Sequence, residues 1–135
     1  MHKIAVIAGD GIGQEIVPEG IRVLEAVGTK YNLEFQWDTL PWGSEYYRKE
    51  GKMMPENAFD ILAAHDAIFL GAVGDPEIPD HISLWGLLIR IRRTFDQYVH
   101  LRPVRMFKGI RSPLAEHKVG EIDYYVVREN TEGEY

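Results

Sequence analysis

A glycine-rich turn near the start of the chain separates two segments of different pattern and limits the folds that the sequence can adopt. Residues 3 to 8 form a short apolar run that is typical of a buried strand, and the turn GDGIG follows at positions 9 to 13. From Gln14 to about Lys30, apolar residues recur at helical spacing, namely Ile16, Val17, Ile21, Leu24 and Val27. A strand that passes directly into a helix predicts an α/β protein.

The rest of the chain continues this alternation. Further strands are predicted over residues 33–39, 67–73, 98–107 and 123–129. Further helices are predicted over residues 44–50, from Pro55 to about Ala64 and from Ser83 to about Phe95. Ser83 would cap the last helix, and Pro103 would place its strand at a sheet edge or end it early. Such alternation indicates a largely parallel sheet.

Charge and composition exclude several classes of protein. The 135 residues carry a formal net charge of -6 and include no cysteine. An acidic chain lacks the basic face that supplies most of the affinity for nucleic acid, and no run approaches the roughly 18 apolar residues of a membrane helix. Without thiolates, any metal must be bound by oxygen or histidine ligands. We therefore expect a cytoplasmic protein with neither nucleic-acid nor membrane partners.

The GDGIG turn is open to two interpretations, an anion-binding turn and a structural turn. Glycines before a helix suit a bound anion, because the backbone can approach closely and the helix N-terminus carries partial positive charge. The turn departs from the dinucleotide fingerprint, since its third glycine comes one residue early and Asp10 would repel a pyrophosphate. Asp38, the nearest acid at the end of the second strand, also lies beyond the usual spacing of about 20 residues. A purely structural turn is the alternative.

Arginines are concentrated in the second half of this acidic chain, with seven from Arg90 to Arg128. At about 100° per residue, the helix that starts near Ser83 has a predicted buried stripe of Leu84, Leu87, Leu88, Ile91 and Phe95. Arg92 lies at the border of this stripe, whereas Arg90 and Arg93 face solvent. A guanidinium in that position needs a negatively charged partner.

Arg102 and Arg128 also adjoin apolar segments, in the two strands that follow. Together with Arg92 they would suit a substrate with two carboxylates, because a guanidinium binds a carboxylate through two parallel hydrogen bonds. Ion pairs with internal acids are the alternative for each of the three arginines.

Five tracts carry a resemblance to a known family: IAVIAGDGIGQEIVPEGIRVL, EYYRKEGKMMPEN, AIFLGAVGDP, PDHISLWGLLIRIRRTFDQYVHLRPVR and DYYVVRENTEGEY. In this order they resemble the β-decarboxylating dehydrogenases, which include isopropylmalate, isocitrate, tartrate and D-malate dehydrogenases. LWG, FDQY and RENTEGEY look most like the tartrate and D-malate branch. The resemblance implies an α/β, isopropylmalate-dehydrogenase-like two-domain fold, with residues 1–98 in the larger domain and residues 99–135 beginning the smaller one.

The resemblance also implies roles for particular residues. Arg92, Arg102 and Arg128 match arginines that bind the substrate carboxylates, and Tyr135 matches the tyrosine that acts as an acid in the last catalytic step. Leu88 stands where the family selects the third substituent of the substrate. The residues that would approach the cofactor are Ile12, Ala72, Val73, Gly74 and Asp75.

The implied reaction is an NAD-dependent oxidation and decarboxylation of D-malate or tartrate through an enolate stabilised by Mg or Mn. An apolar Leu88 disfavours the third carboxylate of isocitrate but does not reject isopropylmalate. No metal ligand is assigned in this chain, because the resemblance implies that the aspartates that bind the metal, and the lysine that assists the tyrosine, lie in later sequence and partly in the second subunit of a homodimer. The 135 residues are therefore expected to be an N-terminal fragment, inactive alone. The alternatives are an isopropylmalate dehydrogenase and a non-catalytic dicarboxylate-binding module.

Three residues depart from the family's pattern. Ala8 replaces a proline that is common before GDGIG, and this change looks harmless. His100 stands where asparagine is usual before LRP, and Asp75 occupies a variable position in the cofactor loop. Both changes could shift the substrate preference or the setting of Arg102.

Overall fold

The chain divides into two compact units, Met1–Ile91 and Arg92–Tyr135. The structure, a computed structural model, describes residues 1–114 and 117–132. The division between the units falls inside a helix and precedes the predicted division after residue 98. The domain boundary of the intact protein stays a prediction.

Three parallel strands form the sheet of the first unit. They are β1 (His2–Gly9), β2 (Phe35–Thr39) and β3 (Ala67–Ala72), in the spatial order β2-β1-β3. In the central strand β1, Val6 and Ile7 point to opposite faces and both are buried. A parallel strand that is buried on both faces accounts for the unbroken apolar run in the sequence. The predicted α/β class with a parallel sheet is confirmed.

Helix α1 (Gly13–Tyr31) follows the glycine turn and packs on β1 and β3. A Cβ added at Gly20 would meet the ring of Phe69 at 2.7 Å, so the absence of a side chain lets this helix lie close to the sheet. The apolar residues that share helical spacing do not all face the core, because Ile16 and Val27 are exposed. Small residues therefore determine which face of α1 contacts the sheet.

Two short helices follow the first crossover. Helix α2 (Ser44–Glu50) has the predicted bounds, and Gly51 ends it with a φ of 72°, in the left-handed region that favours glycine. Helix α3 (Ala58–Ala63) begins later than predicted, because a turn in which the Ala58 N–H donates to the carbonyl of Pro55 precedes it. None of the helices in the described part of the chain has the length and apolar character that crossing a membrane requires.

The predicted helix from Ser83 to Phe95 begins earlier and has an irregular interior. It consists of α4 (Asp80–Ser83), a π-helical turn (Leu84–Leu88) and α5 (Ile89–Thr94). The prediction that Ser83 caps the helix is wrong, because Ser83 is buried inside it. Its hydroxyl donates a long bond of 3.5 Å to the carbonyl of Pro79.

The π-helical turn also changes which side chains of this helix are buried. Its wider turn adds a residue relative to α-helical spacing and so shifts the positions that follow. Ile89, which the regular spacing left out of the stripe, is buried beside Leu87 and Ile91. Leu84 and Leu88 are only partly buried. The predicted stripe is therefore correct for two of these positions and wrong for Ile89.

The second unit contains an antiparallel ribbon of β4 (Val99–Arg105) and β5 (Asp123–Glu129). The register runs from Val99 opposite Glu129 to Arg105 opposite Asp123. Pro103 lies within β4, opposite Tyr125, and does not end the strand. Both strands of a two-stranded ribbon are edges, which tolerate a residue without an N–H, so the predicted edge position is confirmed.

Candidate functional site

The carboxylate of Asp10 joins three segments at the carboxyl ends of the parallel strands. Asp10 is 8% exposed, and its Oδ1 accepts a hydrogen bond of 2.7 Å from the N–H of Ser44. Its Oδ2 accepts from the Ser44 hydroxyl at 2.8 Å and from the N–H of Gly74 at 2.9 Å. The acid in the glycine turn is therefore a structural residue that ties β1 to α2 and to the loop after β3.

The outer glycines of the turn are required by close packing. A Cβ on Gly9 would overlap the carbonyl oxygen of Ala72, and a Cβ on Gly13 would overlap that of Ala8. Gly11 differs, because a Cβ there would meet nothing within 4 Å, although its φ is 48°. The structural interpretation therefore explains Gly9 and Gly13, while Gly11 faces open space.

The residues predicted to approach the cofactor differ in accessibility. Ile12 is 56% exposed at the start of α1. Gly74 is also exposed, and a Cβ added there would meet nothing within 4 Å. Ala72 and Val73 are half-buried, and the carbonyl of Ala72 accepts the N–H of Asp10 at 2.7 Å. The loop after β3 is thus anchored through Asp10 while Gly74 leaves room for a ligand.

Asp75, the last of the residues predicted to approach the cofactor, is tied to α2 by an ion pair. Its Oδ2 lies 2.7 Å from Nη2 of Arg48, and its Oδ1 accepts the N–H of Glu77 at 2.9 Å. The Glu77 amide and the Arg48 guanidinium keep the pKa of Asp75 below its ordinary value. Sequence reasoning missed Arg48, although it lies within the EYYR segment that carried part of the family resemblance.

A cavity of about 390 Å³ opens beside the glycine turn, at the carboxyl ends of β1 and β2. Its side-chain lining includes Gln14, Trp42, Glu45, Arg48 and Asp75. Asp75 is the member of the predicted cofactor set that contributes to this lining. The cavity is therefore adjacent to the loop after β3, within the first unit.

Asp38 is bound to other parts of the first unit. Its Oδ2 lies 2.9 Å from Nε2 of His65, and the side-chain amide of Gln36 donates to its Oδ1 at 3.3 Å. The bond with His65 and then that with Gln36 lower the pKa of Asp38. Nδ1 of His65 lies 2.8 Å from the carbonyl of Ile61. Through His65, Asp38 therefore connects β2 to α3.

In the second unit the three predicted substrate arginines surround His100. His100 lies opposite Arg128 in the ribbon and two residues before Arg102, so these side chains project from one face. Nε of Arg102 donates to Nε2 of His100 at 3.4 Å. Burial lowers the pKa of His100 first, and the charges of Arg102, Arg92 and Arg128 lower it further. The site therefore concentrates positive charge around an imidazole that favours its neutral form.

Arginines near His100 differ from other arginines of the chain in whether an acid pairs with them. Within residues 1–114 and 117–132, neither Arg92 nor Arg102 forms an ion pair with an acid. Arg105, on the opposite face of the ribbon, pairs with Asp123 at 3.2 Å. In the first unit, Arg90 lies over the ring of Phe59 at 5.2 Å. An anion would supply the negative charge that Arg92 and Arg102 lack among the described residues.

The remaining predicted site residues have different outcomes. Leu88 is half-buried in the π-helical turn of the first unit. Tyr135 lies outside the described residues, so its catalytic role stays a prediction. In the described part of the chain, no group of three or more histidine and acidic side chains is placed to hold a metal ion.

The chain belongs to the isocitrate/isopropylmalate dehydrogenase family, whose sequence profile matches residues 3–135. This match confirms the family resemblance of the five sequence tracts. The chain is 58% identical to a tartrate dehydrogenase/decarboxylase of Pseudomonas putida and 56% identical to a decarboxylating D-malate dehydrogenase of Escherichia coli K12. Each alignment covers 98% of this chain and 37% of the relative. The chain therefore spans little more than a third of these relatives.

Solved structures agree with the family assignment. An isocitrate dehydrogenase from Methylococcus capsulatus superposes with a TM-score of 0.77 at 32% identity, over 98% of this chain and 36% of that one. A β-decarboxylating dehydrogenase from Thermococcus kodakarensis gives a TM-score of 0.71 at 26% identity, over 98% and 35%. The predicted isopropylmalate-dehydrogenase-like fold is thereby confirmed for the portion of the fold that this chain represents.

Proposed function

We propose that the intact protein oxidises and decarboxylates a small 2-hydroxy dicarboxylic acid, D-malate or tartrate, with NAD as the oxidant. The observation that supports this proposal is the arrangement of Arg92, Arg102 and Arg128 around His100. Guanidinium groups bind carboxylates through paired hydrogen bonds, and a dicarboxylic acid offers two carboxylates. The names of the two relatives from P. putida and E. coli agree with this substrate class.

In this proposal the arginines bind and orient the substrate while two of its bonds break. The hydride leaves C2 for NAD while the hydroxyl proton passes to solvent, which gives a 2-oxo acid. The bond between C3 and its carboxylate then breaks, carbon dioxide leaves, and the electron pair forms an enolate that takes a proton at C3. Tyr135 is the proposed source of that proton. The cationic face holds the substrate through both steps, which reduces the entropy lost at each one.

The residues proposed to contact the cofactor leave space for a planar ring. Ile12 offers an exposed apolar side chain, and Gly74 leaves open the space that a side chain would fill. The carboxylates of Asp10 and Asp75 are bound to internal donors, which restricts their movement toward a ligand. NAD, when bound, supplies the hydride acceptor. The proposed contacts are Ile12, Ala72, Val73, Gly74 and Asp75.

Mg or Mn, the homodimer and the cytoplasmic setting stay predictions. The described residues contain no candidate metal cluster, so no catalytic step is assigned to a metal held by them. These residues also span 37% of the relatives, and we propose that they turn nothing over without the rest of the protein. Steady-state assays of the 135-residue chain and the intact protein, side by side, test this point.

A substrate panel on the intact protein tests the proposed reaction. D-malate, tartrate, isopropylmalate and isocitrate are assayed in parallel with NAD and Mn, and D-malate or tartrate is expected to give the highest kcat/KM. Leu88 presents an apolar side chain, which suits a hydrogen or hydroxyl better than a third carboxylate. A preference for isopropylmalate would support the isopropylmalate alternative, and dicarboxylate binding without turnover would support a non-catalytic module.

Arginine variants of the intact protein test the carboxylate site. Arg102→Met is expected to lower kcat/KM by about 30-fold or more, since leaving a bound substrate carboxylate without its charged partner costs about 2 kcal/mol or more. Arg105→Met is the matched control, because Arg105 lies on the opposite face of the same strand and pairs with Asp123. Equal losses in the two variants would contradict the proposed site.

A further inference from the structure

His100 has a fixed hydrogen-bonding role in the arginine cluster. An arginine side chain donates hydrogen bonds and accepts none, so Nε2 of His100 must accept the bond from Nε of Arg102 at 3.4 Å. In a neutral ring the single proton then lies on Nδ1. The Nδ1 atom is buried and has no hydrogen-bond partner among the described residues, whereas Nε2 faces Arg102. The ring orientation therefore directs the acceptor nitrogen toward the guanidinium.

Positive charges from three elements act on His100. Arg128 comes from β5, Arg92 from α5, and Arg102 from its own strand β4. These charges and burial all lower the pKa of the ring, so Nε2 keeps its lone pair near neutral pH. A hydrogen-bond acceptor for Arg102 is thus maintained beside three guanidinium groups.

We propose that His100 is a positioning residue, which binds Nε of Arg102 and thereby holds the guanidinium with its two terminal nitrogens available to a substrate carboxylate. This inference rests on the proposed function of the arginine cluster. Arg102 is exposed, and a long exposed side chain loses conformational freedom when it grips a ligand. A bond at Nε limits its rotation before the substrate arrives, so less freedom is lost on binding.

A pair of amide variants tests which ring nitrogen matters. In a glutamine the side-chain oxygen reaches about as far as Nε2 of histidine, whereas in an asparagine it reaches about as far as Nδ1. His100→Gln in the intact protein is therefore expected to keep the KM for D-malate within about threefold of wild type.

His100→Asn and His100→Leu are expected to raise the KM for D-malate about tenfold, with kcat and the KM for NAD within about twofold of wild type. In an Arg102→Met background, His100→Leu is expected to change the KM no further, because its effect acts through Arg102. Circular dichroism at the assay temperature checks the fold, and the amide variants provide the comparison if His100→Leu is unfolded.

Three outcomes would overturn the inference. One is an unchanged KM in both His100→Asn and His100→Leu, and another is a better retained KM in His100→Asn than in His100→Gln. The third is a rise in the KM for D-malate on His100→Leu that is as large in the Arg102→Met background as in the wild-type background. Failure of the proposed function is distinguishable, because the wild-type protein would then turn over neither D-malate nor tartrate.

Discussion

The backbone N–H and the hydroxyl of Ser44 donate to the two different carboxylate oxygens of Asp10, at 2.7 and 2.8 Å. One serine at the start of α2 thus satisfies both oxygens of the buried acid in the glycine turn. A buried carboxylate without hydrogen-bond donors would destabilise the folded protein. Asp10 is tolerated because both of its oxygens accept hydrogen bonds. This relationship leads to the first prediction.

Ser44→Ala is expected to lower the free energy of unfolding by about 1.5–3 kcal/mol, because it removes a hydrogen bond to a buried charged group. Chemical denaturation of the intact protein measures the change. Ser83→Ala is the matched control, since Ser83 is equally buried but its hydroxyl makes only the 3.5 Å bond to Pro79. A loss for Ser83→Ala as large as that for Ser44→Ala would contradict the role assigned to Asp10.

Two glycines of the same turn are predicted to respond differently to an added methyl group. Gly13→Ala is expected to destabilise the protein by more than about 3 kcal/mol, since its Cβ would overlap the backbone oxygen of Ala8 and force the helix away from the sheet. Gly11→Ala is expected to cost about 1–2 kcal/mol, for its left-handed backbone alone. Thermal denaturation of both variants measures this, and equal effects would argue against the packing explanation.

Arg48→Met is predicted to weaken the anchoring of the loop after β3. The pKa of Asp75 is lowered by the Glu77 amide and by Arg48, so its folded carboxylate adds stability above its ordinary pKa of 3.8. That stability is lost as the pH falls through the lowered folded value. The variant is therefore expected to be less stable than wild type at pH 7 and to approach wild type below pH 3.8.

The KM for NAD is expected to rise in the same variant, because Asp75 belongs to the proposed cofactor loop. Arg22→Met is the control, since Arg22 forms a comparable pair with Glu19 on the exposed side of α1. Urea denaturation at both pH values and NAD saturation curves of the intact protein measure the two effects. An equal rise in the KM for NAD in Arg22→Met and Arg48→Met would contradict the proposal that Arg48 anchors the cofactor loop.

We predict that the protein loses stability in mild acid because the pKa of His100 is lowered in the folded state. The folded pKa of His100 lies below its ordinary value of 6.5, so the unfolded chain takes up a proton there before the folded protein does. Stability from this residue is complete above pH 6.5 and falls as the pH decreases toward the folded pKa. The Tm of the intact protein between pH 8 and pH 5.5 measures this loss, which is expected to be smaller in His100→Gln. Parallel curves for the two proteins would contradict the prediction.

Local patterns in the sequence were sufficient for most elements of the fold. The strand pattern gave β5 its observed bounds, and helix α2 ends at Gly51 as expected. The start of the helix near Ser83 was wrong, because the serine that resembled a cap is buried one turn inside. Its buried stripe was partly wrong, since the prediction assumed regular α-helical spacing and a π-helical turn interrupts it.

Fewer features of the candidate site than of the fold could be predicted from the sequence. Arg92, Arg102 and Arg128 were identified from their positions beside apolar segments and from the family resemblance. The roles of Ser44, Arg48 and His100 depend on contacts with residues far along the chain or across a strand pair, so spacing could not reveal them. Asp10 was identified as unusual, but its partners were not.

The sequence by itself determined the alternation of strands and helices, the glycine turn and the family, because hydrophobic periodicity and turn chemistry act between residues that are close in the chain. The tertiary structure decided which donors satisfy Asp10, which arginines lack an internal acid among the described residues, and which nitrogen of His100 accepts a hydrogen bond. Such pairings are decided when the chain folds, since a buried charge finds its partner by position in space and not by position in sequence.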